Sequence, residues 1–184
     1  MIKRLFFTGE IGCGKSTLIQ TALGDHLQTC GGFLTKRYRS PHLHFTLEDP
    51  AGRIKTTFLD FRTGKPQLNL DAFIDPGRSL LEGKVLVMDE IGGIELLCPE
   101  LSAALEAVLK TDTPIVGVIK GVGPAGALIE ALGLTQSYSQ AAEKLWNMLR
   151  NDPNTLIFKC GKYDQQALCL AKQWTEEYLH GKLF

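Results

Sequence analysis

Gly9-Glu10-Ile11-Gly12-Cys13-Gly14-Lys15-Ser16 is the stretch on which the fold turns. It fills every fixed position of the pattern G-x-x-x-x-G-K-[ST]. The residues around it supply the right context. Residues 2–8 are almost wholly apolar, as expected for a central parallel strand covered on both faces. From Lys15 to about Leu27 a helix is predicted, with Leu18, Ile19, Ala22 and Leu23 on one face. Strand, glycine-rich turn and helix in that order build a cradle for phosphate. Glycines let the backbone turn sharply and bring its N–H groups close to phosphate oxygens. The start of the helix adds unpaired donors and partial positive charge. In such a loop Lys15 bridges the β- and γ-phosphates, the Ser16 hydroxyl ligates Mg²⁺, and Thr17 reaches the α-phosphate. Gly9 to Thr17 are therefore the candidate nucleotide-binding residues, with Glu10, Ile11, Gly12, Cys13 and Gly14 offering backbone groups. Cys13 reads as a small loop residue, with a reactive thiol at a helix N-terminus as the sharper alternative.

A second signal lies further along. Val85-Leu86-Val87-Met88-Asp89-Glu90 is an apolar strand ending in two carboxylates. An acid placed there completes the shell that Ser16 begins, holding Mg²⁺ through water. Asp89 fits that role. Glu90 follows at the carboxyl end of the strand, where ligands gather in open α/β sheets, and it can orient or deprotonate an attacking water.

Working outward, residues 32–38 read as a strand, and 43–48 with 53–60 as an antiparallel hairpin across the turn Glu48-Asp49-Pro50-Ala51-Gly52. Residues 61–83 are poorly periodic, with one short helix expected around 71–81. Pro99 to Lys110 is a helix, Ile115 to Ile119 a buried strand, 124–132 and 138–150 helices, 155–160 a strand, and 163–180 a closing helix. Alternating strands and helices predict an α/β P-loop NTPase three-layer sandwich. Its sheet is mostly parallel, with helices on both faces and a hairpin near 43–60. With no linker or repeat in view, residues 1–184 are expected to form one domain.

Composition narrows the class. Lys+Arg and Asp+Glu are equal at 20 each, which argues against nucleic acid as the main partner, since phosphate neutralisation favours a basic excess. Five scattered cysteines without a C-x-x-C pair argue against a zinc site or a disulfide framework. No run approaches the ~20 apolar residues that span a bilayer, and a cytoplasmic protein with reduced thiols is expected.

The wording around the two motifs goes further. Asp89-Glu90-Ile91-Gly92-Gly93-Ile94-Glu95-Leu96 resembles the D-E-I-G-K-M-E-L signature of a small P-loop nucleoside-triphosphatase family with thermophile and human cancer-related members. Gly32-Phe33-Leu34-Thr35 with Arg39 resembles its G-F-[YF]-T-x-x-x-R strand. Ile119-Lys120-Gly121, Pro124 and Leu128-Ile129-Glu130 are similar to its P-x-K-G…P-L-x-L-[IV]-E stretch, and Asp71-Ala72-Phe73 to its D-x-x-F segment. The resemblance covers about residues 1–132. It implies Mg²⁺-dependent hydrolysis of nucleoside 5′-triphosphates to diphosphates with broad base tolerance, Glu90 nearest the attacking water, and Glu95 as a supporting polar residue. The chain departs from the pattern at four places. Gly93 stands where the family has Lys, Arg37 where it has Glu, and Asp164-Gln165 where it has Asn-Arg. Residues 134–153 add a helical segment, Ala141 to Arg150, outside the resemblance.

Phosphoryl transfer calls for a cation beyond Lys15. Lys120, at the end of a buried strand, is the first candidate by position, followed by Arg37 and Arg39. His26, His42 and His44 read as surface or packing residues, and Phe6, Phe7, Phe33, Phe45 and Phe58 as core. Packing is also the default for Trp146. Two other functions fit the same loop: a small-molecule or nucleotide kinase, although no Arg-rich lid is legible in 110–150, and a nucleotide-dependent switch or assembly module. In the latter, a protein partner would meet the hairpin or the helix at 141–150. No N-K-x-D element marks a guanine reader.

Overall fold

The structure, a computed structural model, describes residues 1–75, 83–121, 129–130 and 132–180. Eight strands form one sheet: β1 (Arg4–Thr8), β2 (Gly31–Tyr38), β3 (His44–Glu48), β4 (Lys55–Asp60), β5 (Gln67–Leu68), β6 (Leu86–Ile91), β7 (Ile115–Ile119) and β8 (Thr155–Lys159). Their order is β5-β4-β3-β2-β6-β7-β1-β8. From β2 to β8 neighbours are parallel, and the β2-β3-β4-β5 edge is antiparallel. The helices are α1 (Lys15–Leu23), α2 (Pro99–Val108), α3 (Thr135–Asn151) and α4 (Gln165–Leu179).

Side-chain alternation along β1 divides the core. Leu5 and Phe7 point into a cluster with Ile19 and Leu23 of α1 and Ala167, Ala171 and Trp174 of α4. Phe6 points the other way, towards Leu101 and Leu105 of α2 and Ala142, Leu145 and Leu149 of α3. The result is three layers, with apolar strands between two helical faces. Phe6 and Phe7 are completely buried, and each such side chain contributes about 1.5–3 kcal/mol of transfer free energy. Phe33 and Phe58 are buried too, and Phe45 packs against the same core.

Several boundaries differ from the sequence expectation. The first helix stops at Leu23, because Gly24 takes a positive φ of 53° and the chain continues as a 3₁₀ turn over Gly24–Thr29. The expected short helix near 71–81 is a 3₁₀ turn at Leu70–Phe73, opened by the Asn69 side chain accepting from the Asp71 N–H, and 76–82 lie outside the described residues. The acid-bearing strand does not end at its two carboxylates but runs on to Ile91. Of the helix expected at 124–132, residues 124–128 and 131 also lie outside the described residues. The added helix is present and longer than expected, beginning at Thr135.

Candidate active site

The phosphate loop leaves β1 at Thr8 and enters α1 at Lys15. Gly9, Gly12 and Gly14 all have positive φ, at 146°, 77° and 99°, so the curl depends on residues without a Cβ. At Gly9 a Cβ would lie 2.5 Å from the Cys160 carbonyl oxygen. The start of the loop is thus pressed against the end of β8, where the Cys160 N–H donates to the Thr8 carbonyl at 2.7 Å. The Lys15 ammonium folds back over the loop and donates to the carbonyls of Gly9 (3.1 Å) and Glu10 (2.7 Å). Phosphate oxygens entering the curl would compete for the same ammonium.

Opposite the loop stands Asp89. Ser16 Oγ donates to Asp89 Oδ1 at 2.8 Å, which joins the two sequence motifs in space. Asp89 is only 1% exposed, and its Oδ2 is buried without a hydrogen-bond partner. Burial pushes its carboxyl up to about 7, against the Ser16 hydrogen bond; nearby Glu90 adds to the rise, and Lys36 and Lys120 oppose it. A buried carboxylate oxygen with no partner, beside a hydroxyl at a helix N-terminus, is a donor set suited to a hard divalent cation. Among the described residues no cluster of three or more His, Cys, Asp or Glu could hold a metal by itself. Phosphate oxygens and water would have to fill the remaining coordination positions.

Glu90 is aimed by a bulge. Between β6 and β7 the register steps from Met88↔Gly117 to Ile91↔Ile119, so β6 carries one extra residue at Asp89-Glu90. Glu90 takes a φ of 67°, a left-handed conformation uncommon for a side-chain-bearing residue. A regular strand would send Asp89 and Glu90 to opposite faces, whereas a bulge re-aims one of them. Glu90 Oε2 lies 3.3 Å from Lys120 Nζ, which follows β7. Both side chains are half-buried.

Gly93 clarifies one departure from the family pattern. A Cβ there would lie 2.7 Å from Glu95 Oε2 and 3.0 Å from Lys120 Nζ. The missing side chain at 93 is the space that Lys120 and Glu95 occupy, so positive charge is present there despite the lost lysine. Glu95 is buried and accepts the Gly93 N–H at 2.7 Å; burial raises its pKa, against the pull of Lys120 and the backbone N–H groups. For Lys120, burial would favour the neutral amine, but Glu90 and Glu95 outweigh it and hold the ammonium charged.

Among the described residues, the candidate arginines make no hydrogen bond or ion pair with the acid pair. Arg37 is exposed, its guanidinium over the Phe45 ring at 5.7 Å, and Arg39 is exposed just beyond the end of β2. Four residues passed over as site residues do serve the site. Thr35 Oγ1 donates to the Asp89 carbonyl at 2.9 Å, and Lys36, bonded to Gln20 at 3.4 Å, adds positive potential near the Asp89 carboxylate. Tyr138 and Trp146 of α3 are buried and donate to the carbonyls of Gly92 (2.9 Å) and Lys120 (3.1 Å). Thr35 was legible only as the end of the Gly32-Phe33-Leu34-Thr35 stretch, and nothing in the sequence set Lys36 apart. No local signal could connect α3 to residues so distant in sequence.

Beside the loop is a cleft of about 480 Å³ lined by Cys13, Lys15 and Thr17 together with Cys160, Tyr163 and Gln165.

A family model described as NTPase matches residues 4–138, which take in the loop, both acids, Lys120 and the start of α3. The chain belongs to this nucleoside-triphosphatase family. Among its relatives is the nucleoside-triphosphatase THEP1 of Thermotoga petrophila, 32% identical over 129 residues that cover 64% of this chain and 72% of that protein. The cancer-related nucleoside-triphosphatase homolog of Mus musculus is 29% identical and covers 85% of this chain and 94% of its own. The crystal structure of THEP1 from the hyperthermophile Aquifex aeolicus superposes with a TM-score of 0.62 at 20% identity, covering 89% of this chain and 92% of that one, which speaks to the fold. As a family member the chain is a hydrolase that acts on nucleoside triphosphates. Among the described residues no helix is long and apolar enough to cross a membrane.

Proposed function

We propose that the chain hydrolyses nucleoside 5′-triphosphates, ATP and GTP among them, to the diphosphate and phosphate in a Mg²⁺-dependent reaction. The observation that carries the reading is the Ser16–Asp89 hydrogen bond, which brings the phosphate loop against a buried carboxylate whose neighbour is Glu90. The backbone N–H groups from Glu10 to Ser16 receive the β- and γ-phosphates, and Lys15 exchanges its loop carbonyls for their oxygens. Ser16 and Asp89 would hold Mg²⁺, Asp89 through water. Once bound there, the ion would neutralise charge on the β- and γ-phosphate oxygens.

Glu90, at the lip of the bulge, orients the attacking water and accepts its proton. Its pairing with Lys120 keeps the carboxylate beside a cation, and that cation faces the charge developing on the γ-phosphoryl group. Glu95 holds Lys120 from behind. Arg37 and Arg39 are not needed in this scheme.

Phosphate release from ATP, GTP, CTP and UTP, with and without Mg²⁺, tests the proposal directly. Turnover is expected with Mg²⁺ and should vanish in Lys15→Ala. Equal turnover by the native chain and Lys15→Ala for every nucleotide would overturn it.

A further inference from the structure

The cleft beside the phosphate loop continues past Lys15 and Thr17 to the turn between β8 and α4, residues 160–165. Its volume of about 480 Å³ lies in the range of small-molecule sites. Two residues of that turn have unusual surroundings. Tyr163 lines the cleft yet is 92% exposed, and its φ of 52° is one of two positive values at non-glycine residues in the described chain. An aromatic ring held out in water beside a loop that grips phosphate has apolar area to bury against a ligand. Asp164, by contrast, is already engaged. Its Oδ1 accepts the Ala167 N–H at 2.9 Å and caps α4, and its Oδ2 accepts the Gly161 N–H at 3.0 Å and holds the turn.

We propose that Tyr163 stacks against the base of the bound nucleotide, and that the site ranks nucleotides by aromatic area: purines above pyrimidines, with adenine and guanine treated alike. The assignment rests on the phosphate-loop reading given above, because the loop fixes the phosphates and the cleft then leads the nucleoside towards residue 163. Stacking is tolerant of base identity, since every base has a π-face.

Calorimetry with Mg²⁺ tests it, using ADP, GDP, CDP, UDP and inorganic tripolyphosphate as ligands for the native chain, Tyr163→Ala and Tyr163→Phe. Stacking on one aromatic side chain predicts that Tyr163→Ala weakens ADP and GDP by about 10- to 100-fold and the pyrimidine nucleotides by only about threefold. Tyr163→Phe should bind all four as the native chain does. Tripolyphosphate, which has no base, should bind the native chain and both variants equally. Unchanged purine affinity in Tyr163→Ala, an equal loss for tripolyphosphate, or a native preference beyond about tenfold between ADP and GDP would each overturn the proposal. If tripolyphosphate and all nucleotides fail to bind the native chain, the phosphate-loop reading itself falls, and this proposal with it.

Discussion

A single backbone angle separates the two acids of the site. Both acids lie in the bulge of β6, but Asp89 is buried and bonded to Ser16, while Glu90 is held at a φ of 67°. For a residue with a side chain that conformation costs on the order of 1–3 kcal/mol, and it persists because the bulge between Met88 and Ile91 imposes it. The gain is a carboxylate turned towards Lys120 and away from the packed sheet. Glu90→Gln keeps the shape and removes the base, so it should reduce turnover by about 10²–10⁴ and leave nucleotide affinity within a few-fold. Single-turnover phosphate release and a binding titration on the same protein would separate the two effects. An equal fall in affinity and turnover would mean that Glu90 binds nucleotide and does not act on water. The pair Asp89-Glu90 was legible in the sequence as acids at the end of an apolar run. The bulge was not, because register is a relation between β6 and β7.

At the scale of elements, the site depends on how closely two strands approach and on a helix outside the signature motifs. Gly32 of β2 pairs with Val87 of β6, with a φ of 96°, and a Cβ at residue 32 would lie 2.0 Å from the Val87 carbonyl oxygen. Backbone cannot yield as a flexible side chain can. Gly32→Ala should therefore cost more than about 3 kcal/mol by forcing β2 away from the acid-bearing strand and pulling Thr35 from the Asp89 carbonyl. Urea unfolding would measure it, and a loss under about 1 kcal/mol would show that the strands can shift apart freely. Helix α3 acts through the backbone. Tyr138→Phe leaves the Gly92 carbonyl without its donor in a buried setting, a loss of about 1–3 kcal/mol. It should also lower kcat more than it raises KM, because Gly92 follows the Glu90–Ile91 segment directly. An unchanged kcat beside the expected stability loss would confine Tyr138 to packing. The period of α3 was readable in the sequence, but its docking against Gly92 and Lys120 was not, since nothing in its own residues names those carbonyls as acceptors.

Across the whole molecule, a polar clasp closes the edge of the sheet opposite the hairpin. Arg4 is 4% exposed and bonds Asp152 at 2.5 Å and the Thr111 carbonyl, while Asp152 also accepts from Thr155 and the Asn154 N–H. Burial alone would raise the Asp152 pKa; these hydrogen bonds and the Arg4 charge outweigh it and bring it below the ordinary 3.8. The folded value is the lower one, so the unfolded chain takes up the proton first as pH falls. The clasp is then fully stabilising above the unfolded carboxylate pKa and is lost as pH drops through the folded one. Asp152→Asn should cost about 2–3 kcal/mol at pH 7, because it strands a buried guanidinium, and the gap to the native chain should narrow below about pH 4. Denaturant unfolding at a series of pH values checks this. A gap independent of pH would show that the carboxylate's charge contributes nothing.

The sequence by itself determined the phosphate loop, the acid pair and the α/β layering. Each is written in contiguous residues: glycines that permit one backbone curl, an apolar run that must be covered on both faces, and helical periods that supply the cover. Only the tertiary structure decided which cation meets Glu90, that Lys120 occupies the space beside Gly93, that α3 braces the Gly92 and Lys120 carbonyls, and that Tyr163 lines the same cleft as the loop. These contacts join residues far apart in the chain through strand register and helix docking. Those relations belong to the packed sheet, and no local run of residues records them.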